Sequence, residues 1–314
     1  MRIVFMGTPH AAVPTLRRIL ADHHEVVAVW TQPDRPSGRG HKVASSPVKE
    51  FALSHGLTIH QPQKIKTAEA KNLFASHDAD VAVVVAYGRI LPEEFLRTPA
   101  RGCINVHFSL LPKYRGAAPA NWAIVNGEKQ TGVTTMFIEP TLDTGPILMQ
   151  RSTEIGETET APELMQRLSE IGAELLSETL ARLDELTPQP QDDTQATFAP
   201  VLKKEDGLID WTSDAPAIEH RIRGLQPWPA AYTSFNSRGL TVWKAEPVSA
   251  TDDTDFRAAA GEVVVARGDE LVVQCGQGSA LRLLEVQPEA RKRISARDFI
   301  NGLRVKVGDR LGQD

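Results

Sequence analysis

Short apolar runs alternate with amphipathic stretches along the first half of the chain. Residues 3–6 and 25–30 are strand-like and, apart from Glu25, apolar, and residues 12–20 between them have the spacing of a helix. Residues 81–86 are apolar at every position, a pattern typical of a strand buried on both faces. The alternation predicts an α/β domain with a largely parallel sheet.

The same domain continues through five further predicted elements. Residues 103–108, 131–138 and 147–155 are strand-like, and residues 119–125 form a helix that a proline can open. Residues 160–186 carry an apolar stripe at helical spacing with glutamates opposite. We expect this long helix to close the first domain.

The texture of the chain changes after residue 186. Residues 187–195 are polar, contain two prolines and lack an apolar period, which indicates a linker. A helical pattern at residues 215–225 then precedes short strand-like runs at 231–235, 240–245, 262–265, 270–274 and 280–286. We therefore predict a catalytic domain at residues 1–189, a linker at 190–206 and a small C-terminal β-barrel at 207–314.

Composition limits the partners and the compartment. A chain of 314 residues exceeds the usual size of one core, and its net charge of -5 argues against nucleic-acid binding over the whole surface. The two cysteines, Cys103 and Cys275, lie far apart, the first strand begins at once without a leader-like stretch, and no apolar run reaches bilayer length. We expect a cytoplasmic monomer with no membrane partner.

Three polar side chains could meet around one carbonyl carbon. Asn105 and His107 lie two residues apart in a predicted strand, so both leave the same face, and Asp143 sits in a glycine-bounded turn. The amide can stabilise an oxyanion, and a histidine beside a carboxylate can relay a proton. Ordinary hydrogen bonding at a strand end and a turn explains the same pattern, so both interpretations stay open here.

Signals for other chemistries are weak. Ser109 lacks a G-x-S-x-G elbow, which argues against a covalent hydrolase, and Gly7 opens no G-x-G-x-x-G fingerprint. His23 and His24 are adjacent, there is no H-E-x-x-H, and two cysteines cannot build a zinc site alone. We predict no metal.

The order of these motifs resembles the signature of the folate-dependent formyltransferases. The resemblance rests on Asn-Val-His-Phe-Ser-Leu-Leu-Pro at residues 105–112, Arg-Gly at 115–116 and Leu-Asp-Thr-Gly at 142–145. It implies 10-formyltetrahydrofolate as cosubstrate, an amine acceptor, a Rossmann-like catalytic domain and an OB-like C-terminal barrel. It also implies that Asn105, His107 and Asp143 are catalytic. The implied folate-binding residues are Tyr87, Gly88, Arg89, Ile90, Leu91, Ser109, Leu110, Leu111 and Pro112.

Two basic segments are similar to parts of the family members that act on initiator tRNA. Residues 31–49 carry a net charge of +3 on a Gly/Pro-rich loop, and residues 282–310 carry +4. A solvated surface explains either segment nearly as well. The implied tRNA-binding residues are Arg35, Arg39, Lys42, Lys203, Arg291, Lys292 and Arg293.

The resemblance therefore implies formyl transfer to the α-amine of methionine on initiator tRNA, in translation initiation. Two alternatives stay open: a formyltransferase for an amino-sugar nucleotide, and a folate- or RNA-binding module with a dead site. The chain departs from the family pattern at His10 and Ala11, near the implied methionyl pocket, and at Phe108. Because Phe108 points away from His107, we expect it only to repack the sheet.

Overall fold

A computed structural model describes residues 1–37, 42–248 and 258–312 of the chain. The chain divides into two compact units. The first comprises Met1–Pro119, Gln130–Glu154 and Met165–Pro200, and the second comprises Ala120–Lys129, Ile155–Leu164 and Val201–Asp314. The domain boundaries drawn from the sequence stay a prediction.

The strands of the first unit are numbered in chain order. They are β1 (Arg2–Gly7), β2 (Glu25–Trp30), β3 (Arg35–Ser37), β4 (Lys42–Ala44), β5 (Ile59–His60), β6 (Val81–Val85), β7 (Cys103–His107), β8 (Arg115–Gly116), β9 (Gln130–Phe137), β10 (Ile147–Glu154) and β11 (Phe198–Ala199). Within the described residues, seven of them form one sheet in the order β10-β9-β7-β6-β1-β2-β5. β3 pairs with β4, and β8 pairs with β11.

The α-helices of the chain are likewise numbered in order. They are α1 (Val13–Ala21), α2 (Pro47–Ser54), α3 (Ala68–Ala75), α4 (Glu93–Arg97), α5 (Pro119–Val125), α6 (Ala161–Ala181), α7 (Ala215–Gly224) and α8 (Ala296–Leu303). Shorter 3-10 helices occupy His10–Ala12, Asp193–Gln195, Lys204–Gly207 and Gly276–Gly278. In the described residues no helix has the length and apolar character needed to cross a membrane.

The centre of the first sheet is parallel and dry. β6 is buried at every residue, and it pairs in parallel with β1 and β7, as its unbroken apolar run predicts. β9 runs antiparallel to β7 and β10, so the sheet is mixed at this end. The prediction of an α/β domain with a Rossmann-like core is confirmed. Phe108 is buried and lies near Gly172 of α6, as expected for a repacking role.

The second unit contains an antiparallel sheet. Its strands are β12 (Ala231–Phe235), β13 (Arg238–Val248), β14 (Val263–Arg267), β15 (Glu270–Gln274), β16 (Ala280–Pro288) and β17 (Ile294–Ser295). Their order is β12-β13-β16-β15-β14, with β17 on β16. Trp211, Val242, Leu283 and Phe299 belong to its buried core.

A short C-terminal segment, residues 309–312, reaches both edges of this sheet. The Leu311 N–H donates to the Gly261 carbonyl (2.8 Å) beside β14, and the Gly312 N–H donates to the Ser234 carbonyl (3.0 Å) of β12. Bridge pairs join Leu311 to Phe235 and Arg310 to Glu262. In the described residues the two edge strands do not pair with each other directly.

The polar segment expected as a linker makes specific contacts within the first unit. The backbones of Gln189 and Ile147 exchange two hydrogen bonds of 2.8 Å. Farther along, the Arg115 N–H donates to the Thr197 carbonyl (2.9 Å), and β11 pairs with β8. Backbone pairing therefore fixes a stretch whose composition alone suggests freedom.

Candidate active site

Strand β7 places Asn105 and His107 on one face, near its carboxyl end. Asn105 lies between Val84 of β6 and Met136 of β9, and His107 lies opposite Thr134. The Asn105 side chain is half-buried, and its amide has no hydrogen-bond partner among the described residues. It is therefore available to a ligand.

The imidazole of His107 is buried and fixed by one backbone carbonyl. Its Nε2 lies 2.9 Å from the Tyr114 carbonyl oxygen, and only 5% of the residue is exposed. Because a carbonyl oxygen can only accept, Nε2 carries a hydrogen and Nδ1 faces the other way. Tyr114 has a left-handed backbone (φ 61), and its N–H donates a hydrogen bond of 2.9 Å to the Thr197 hydroxyl.

Asp143 folds back from the loop between β9 and β10 to reach His107. Its Oδ2 lies 3.8 Å from His107 Nδ1 and accepts a hydrogen bond of 2.9 Å from the Gly116 N–H. The first distance permits electrostatic attraction but is too long for a hydrogen bond. Glycine is required at 116, because its φ is +126 and a Cβ there would lie 2.5 Å from the Ala199 carbonyl oxygen.

The backbone of the Asp143 loop is held by a side-chain network. Gln191 Nε2 donates to the carbonyls of Asp143 (2.9 Å) and Gly145 (2.8 Å). Gln191 Oε1 accepts from Arg115 Nε (3.0 Å) and from a terminal nitrogen of the same guanidinium (2.8 Å), which also binds Asp193. Arg115, Gln191 and Asp193 line a cavity of about 500 Å³, whereas Asn105, His107 and Asp143 are not among its lining residues.

The loop at residues 109–112 is anchored from the neighbouring strands. The Ser109 hydroxyl donates to the Lys113 carbonyl (2.6 Å), so this side chain is already used within the protein. Thr134 accepts from the Leu111 N–H (3.1 Å) and donates to the Ser109 carbonyl (2.7 Å). Leu111 is buried, whereas Leu110 and Pro112 are half-buried.

The loop at residues 87–92 combines two buried side chains with one exposed apolar side chain. Tyr87 is buried, and burial raises the pKa of its phenol to about 12. Arg89 donates to Gln32 Oε1 and to the Pro62 carbonyl (both 3.0 Å). Gly88 has φ +82, and a Cβ added there would meet only Gln32 Nε2, at 4.0 Å, while Ile90 is 66% exposed and Leu91 is buried.

The predicted tRNA-binding residues fall into two groups. Arg35 and Lys42 lie on the paired strands β3 and β4, and Arg39, between them, lies outside the described residues. Lys49, counted in the same basic loop, forms an ion pair with Asp34, and this contact lowers the pKa of that carboxyl. In the second unit Lys203 is exposed at the start of a 3-10 helix.

The other three predicted residues lie after β16. Arg291 and Lys292 are exposed, and the Arg293 guanidinium lies over the Trp243 ring, 3.4 Å from its centroid. The Trp243 indole donates to Gln287 Oε1 (2.9 Å), and Gln287 Nε2 donates to the Arg291 carbonyl (2.8 Å). The chain that carries these cations is thus tied to the sheet.

Neither cysteine is suited to nucleophilic chemistry. Both thiols are buried, and burial raises the pKa of Cys103 and of Cys275 to about 12, so neither ionises near neutral pH. Across the described parts of the chain, no group of three or more His, Cys, Asp or Glu side chains could hold a metal ion. The expectation of no metal stays a prediction.

Sequence reasoning missed the groups that hold the three polar side chains in place. The Tyr114 carbonyl has no residue-specific signal, because every residue carries one. Gln191 lies in the segment interpreted as linker, and the one available signal was a glutamine between prolines and aspartates. Thr197 was missed because it also lies in the segment interpreted as a linker.

Comparison with known proteins gives consistent matches over both units. A family model described as formyl transferase matches residues 1–180, and one described as formyl transferase, C-terminal domain, matches residues 201–304. A methionyl-tRNA formyltransferase of Solibacter usitatus (strain Ellin6076) is 51% identical over 100% of this chain and 99% of its own length. That of Citrifermentans bemidjiense is 48% identical over 100% and 97%.

Solved structures share the fold at lower identity. An N-formyltransferase from Helicobacter canadensis, in complex with folinic acid and dTDP-3-aminofucose, has a TM-score of 0.65 at 19% identity and covers 91% of this chain and 98% of its own. HypX from Aquifex aeolicus, in complex with tetrahydrofolic acid, has a TM-score of 0.62 at 17% identity and covers 98% and 48%. At these identities the likeness concerns the fold alone.

Proposed function

The chain belongs to the formyl transferase family, and on that premise we propose that it transfers the formyl group of 10-formyltetrahydrofolate to the α-amine of methionine on initiator tRNA. The observation that carries the proposal is the grouping of Asn105, His107 and Asp143 at the end of β7. Full-length relatives named methionyl-tRNA formyltransferase support the acceptor.

Asn105 supplies an uncharged hydrogen-bond donor to the formyl oxygen. The amine attacks the formyl carbon, a new C–N bond forms, and negative charge develops on the formyl oxygen. The free amide of Asn105 donates to that oxygen, a contribution worth roughly 10²- to 10³-fold in rate for one such donor. The bond between the carbon and the folate nitrogen then breaks.

His107 carries the proton between the two nitrogens. Because Nε2 is committed to the Tyr114 carbonyl, Nδ1 is the nitrogen that meets the substrate. Asp143, at 3.8 Å, attracts a positive charge on the ring without occupying Nδ1. The proton lost by the attacking amine therefore reaches the departing folate nitrogen through Nδ1.

The folate is bound largely by main chain in this proposal. Gly88 lacks a side chain, and only Gln32 Nε2 lies as near as 4.0 Å to the place where a Cβ would stand, which supports close approach of a flat ring to residues 87–91. The Ser109 hydroxyl is used internally, so residues 109–112 contribute shape and backbone groups. The side chains of Tyr87 and Leu91, which belong to this loop, are buried and anchor it to the protein.

The tRNA is bound through phosphates by two separate sets of cations. Arg35, Arg39 and Lys42 serve the first unit, and Lys203, Arg291, Lys292 and Arg293 serve the second. The exposure of Arg291 and Lys292 and the fixed stack of Arg293 on Trp243 support the second set. Such contacts give affinity that depends on salt and not on base sequence.

The proposal also covers the architecture of the second unit, the cellular compartment and the oligomeric state. Residues 309–312, which bond to both edges of the C-terminal sheet, support an OB-like barrel. We further propose a cytoplasmic protein that acts as a monomer. Light scattering after size-exclusion chromatography should give one chain mass, and a dimer mass would contradict the monomer.

A mass measurement tests the function. The chain is incubated with 10-formyltetrahydrofolate and either methionyl initiator tRNA or amino-sugar nucleotides, and the products are hydrolysed and weighed. We expect formyl-methionine from the tRNA arm, with His107→Ala as the inactive control. Formyl-sugar in the second arm without formyl-methionine in the first would favour the sugar acceptor, which the Helicobacter neighbour carries.

A further inference from the structure

The side-chain amide of Gln191 lies between the buried guanidinium of Arg115 and the loop that carries Asp143. Its two N–H hydrogens have two carbonyl acceptors, Asp143 and Gly145, at 2.9 and 2.8 Å. Its oxygen has two donors on Arg115 at 3.0 and 2.8 Å. Every strong hydrogen-bonding position of this amide is used inside the first unit.

The orientation of the amide is dictated by its neighbours. A flipped amide would point its NH₂ at the Arg115 guanidinium, which can only donate, and its oxygen at two carbonyl oxygens, which can only accept. Arg115 is itself 5% exposed and is held by Asp193 at 2.8 Å. The Gln191 donors are therefore aimed at the loop by a fixed charge.

The backbone of the loop lies in a less populated conformation at Asp143. Its φ is 53, in the left-handed region, which aspartate enters more readily than most residues but still at some cost. Gln191 holds the carbonyls at Asp143 and Gly145, so it fixes the peptide groups that set where the carboxylate points. The carboxylate distances of 2.9 Å to Gly116 and 3.8 Å to His107 follow from that placement.

We infer that Gln191 is a positioning residue for formyl transfer, acting through Asp143, and that Arg115 aims it. The inference rests on the proposed function, since it concerns the same reaction. Gln191 does not touch the reacting atoms in this scheme. Its removal should affect the rate of the chemical step more than the binding of either substrate.

Glutamate separates the two sides of the amide. In Gln191→Glu the side chain keeps its shape and its partner Arg115, but its ionised carboxylate cannot donate to the Asp143 and Gly145 carbonyls. We expect kcat to fall at least about 10-fold, with KM for folate and for charged tRNA within about 2-fold, because small misplacements at a reacting centre are costly. The thermal midpoint should fall by a few degrees at most, because the two carbonyls lose their donor while the ion pair with Arg115 remains.

A pH profile gives the readout that a purely structural role would not move. An altered distance between the Asp143 carboxylate and the His107 ring changes their electrostatic interaction, so the pH at half-maximal kcat should shift in Gln191→Met, which removes the donors without adding a charge. Gln189→Glu and Gln189→Met make the same changes at an exposed position two residues away and should leave kcat, KM and the profile unchanged.

Three results decide the matter. Near-normal kcat in Gln191→Glu and an unshifted profile in Gln191→Met, with His107→Ala inactive, would overturn the role of Gln191 and leave the proposed function intact. Losses of kcat and of thermal stability that are as large in Gln189→Glu as in Gln191→Glu would overturn it as well. Absence of formyl transfer by the unaltered chain would overturn both proposals together.

Discussion

At the scale of residues, the site separates groups that are held from groups that are free. His107 is fixed by the Tyr114 carbonyl and Asp143 by the Gly116 N–H, whereas the Asn105 amide has no partner in the described parts of the chain. A buried polar group usually finds a partner, so an available amide beside an oriented imidazole points to a ligand. This difference makes Asn105 the residue whose loss should affect rate and not stability.

Asn105→Ala should lower kcat by roughly 10²- to 10³-fold while leaving the thermal midpoint within experimental scatter. No hydrogen bond with a described residue disappears, and the side chain is already half-buried at a strand end. Single-turnover formyl transfer and a melting curve measure the two effects. Asn72→Ala, on the exposed face of α3, is the control, and a normal rate in Asn105→Ala would remove this residue from the mechanism.

The proposed catalytic side chains were predictable from the sequence, whereas the groups that hold them in place were not. The two-residue spacing of Asn105 and His107 is enough to place them on one face of a strand, and the glycine-bounded turn makes Asp143 a candidate neighbour. The supports are a carbonyl and a glutamine more than 40 residues further along the chain. Long-range contacts of that kind leave no periodicity in the sequence.

At the scale of elements, strongly patterned segments were predicted well and short ones were missed. The pattern for β2 and the proline-opened α5 gave their limits to the residue, and the predicted long helix ends earlier than expected, at Ala181. α2 was not predicted, because it begins within the segment interpreted as a basic loop. Ser46 caps this helix by accepting a hydrogen bond of 3.1 Å from the Lys49 N–H. Helices of eight residues carry too few apolar positions for a clear period.

Two helical glycines should respond in opposite ways to the same added methyl group. A Cβ on Gly172 of α6 would lie 2.9 Å from Val106 Cγ1, whereas a Cβ on Gly302 of α8 would meet nothing within 4 Å. Gly172→Ala should therefore destabilise the fold by about 1–3 kcal/mol, and Gly302→Ala should stabilise it by about 0.5 kcal/mol. Urea unfolding of both variants tests this, and equal signs would contradict the close approach of α6 to the sheet.

The packing around β2 should make stability depend on pH. Trp30 donates to His77 Nε2 (3.3 Å), and His60, 5.0 Å away between ring centroids, has a buried Nε2 without a partner in the described chain. Burial lowers the pKa of both histidines, and for His77 the charge of His60 adds to the effect. The unfolded chain then binds more protons than the folded one. The contribution of the two histidines to the free energy of unfolding is therefore complete above pH 6.5 and is lost as the pH falls below it.

The pH effect can be measured as a difference between variants. The midpoint of urea unfolding should fall less between pH 7.5 and 5.5 in His60→Phe than in the unaltered chain, because phenylalanine keeps an aromatic ring without a titrating group. His10→Gln changes an exposed histidine elsewhere and should leave the fall unaltered. Equal falls in all three proteins would show that the pair around Trp30 does not contribute.

At the scale of the whole molecule, a modest net negative charge coexists with local basic surfaces. The chain carries -5 overall, yet Arg291, Lys292 and Arg293 are consecutive and exposed. The β/α alternation and the run of short strands predicted two regions of different architecture, and two units of those kinds are present. The antiparallel end of the first sheet was not foreseen, because strand direction depends on connections and not on apolar period.

Neutralising Arg291 and Lys292 should weaken tRNA binding and reduce its dependence on salt. For Arg291→Gln with Lys292→Gln, we expect the slope of log Kd against log salt to fall by about 1 for each phosphate that the variant no longer neutralises, with folate affinity unchanged. Arg267→Gln, which removes an exposed arginine paired with Glu270, is the control. An unchanged slope in the double variant would place the tRNA elsewhere.

The bonds that residues 309–312 make with two different strand edges have a practical consequence for anyone shortening the protein. A chain cut before Asp309 would lose the hydrogen bonds to Gly261 and Ser234 and bare the backbone groups of two strand margins at once. Exposed margins of that kind recruit further chains, so such truncations should precipitate although every proposed catalytic residue is present.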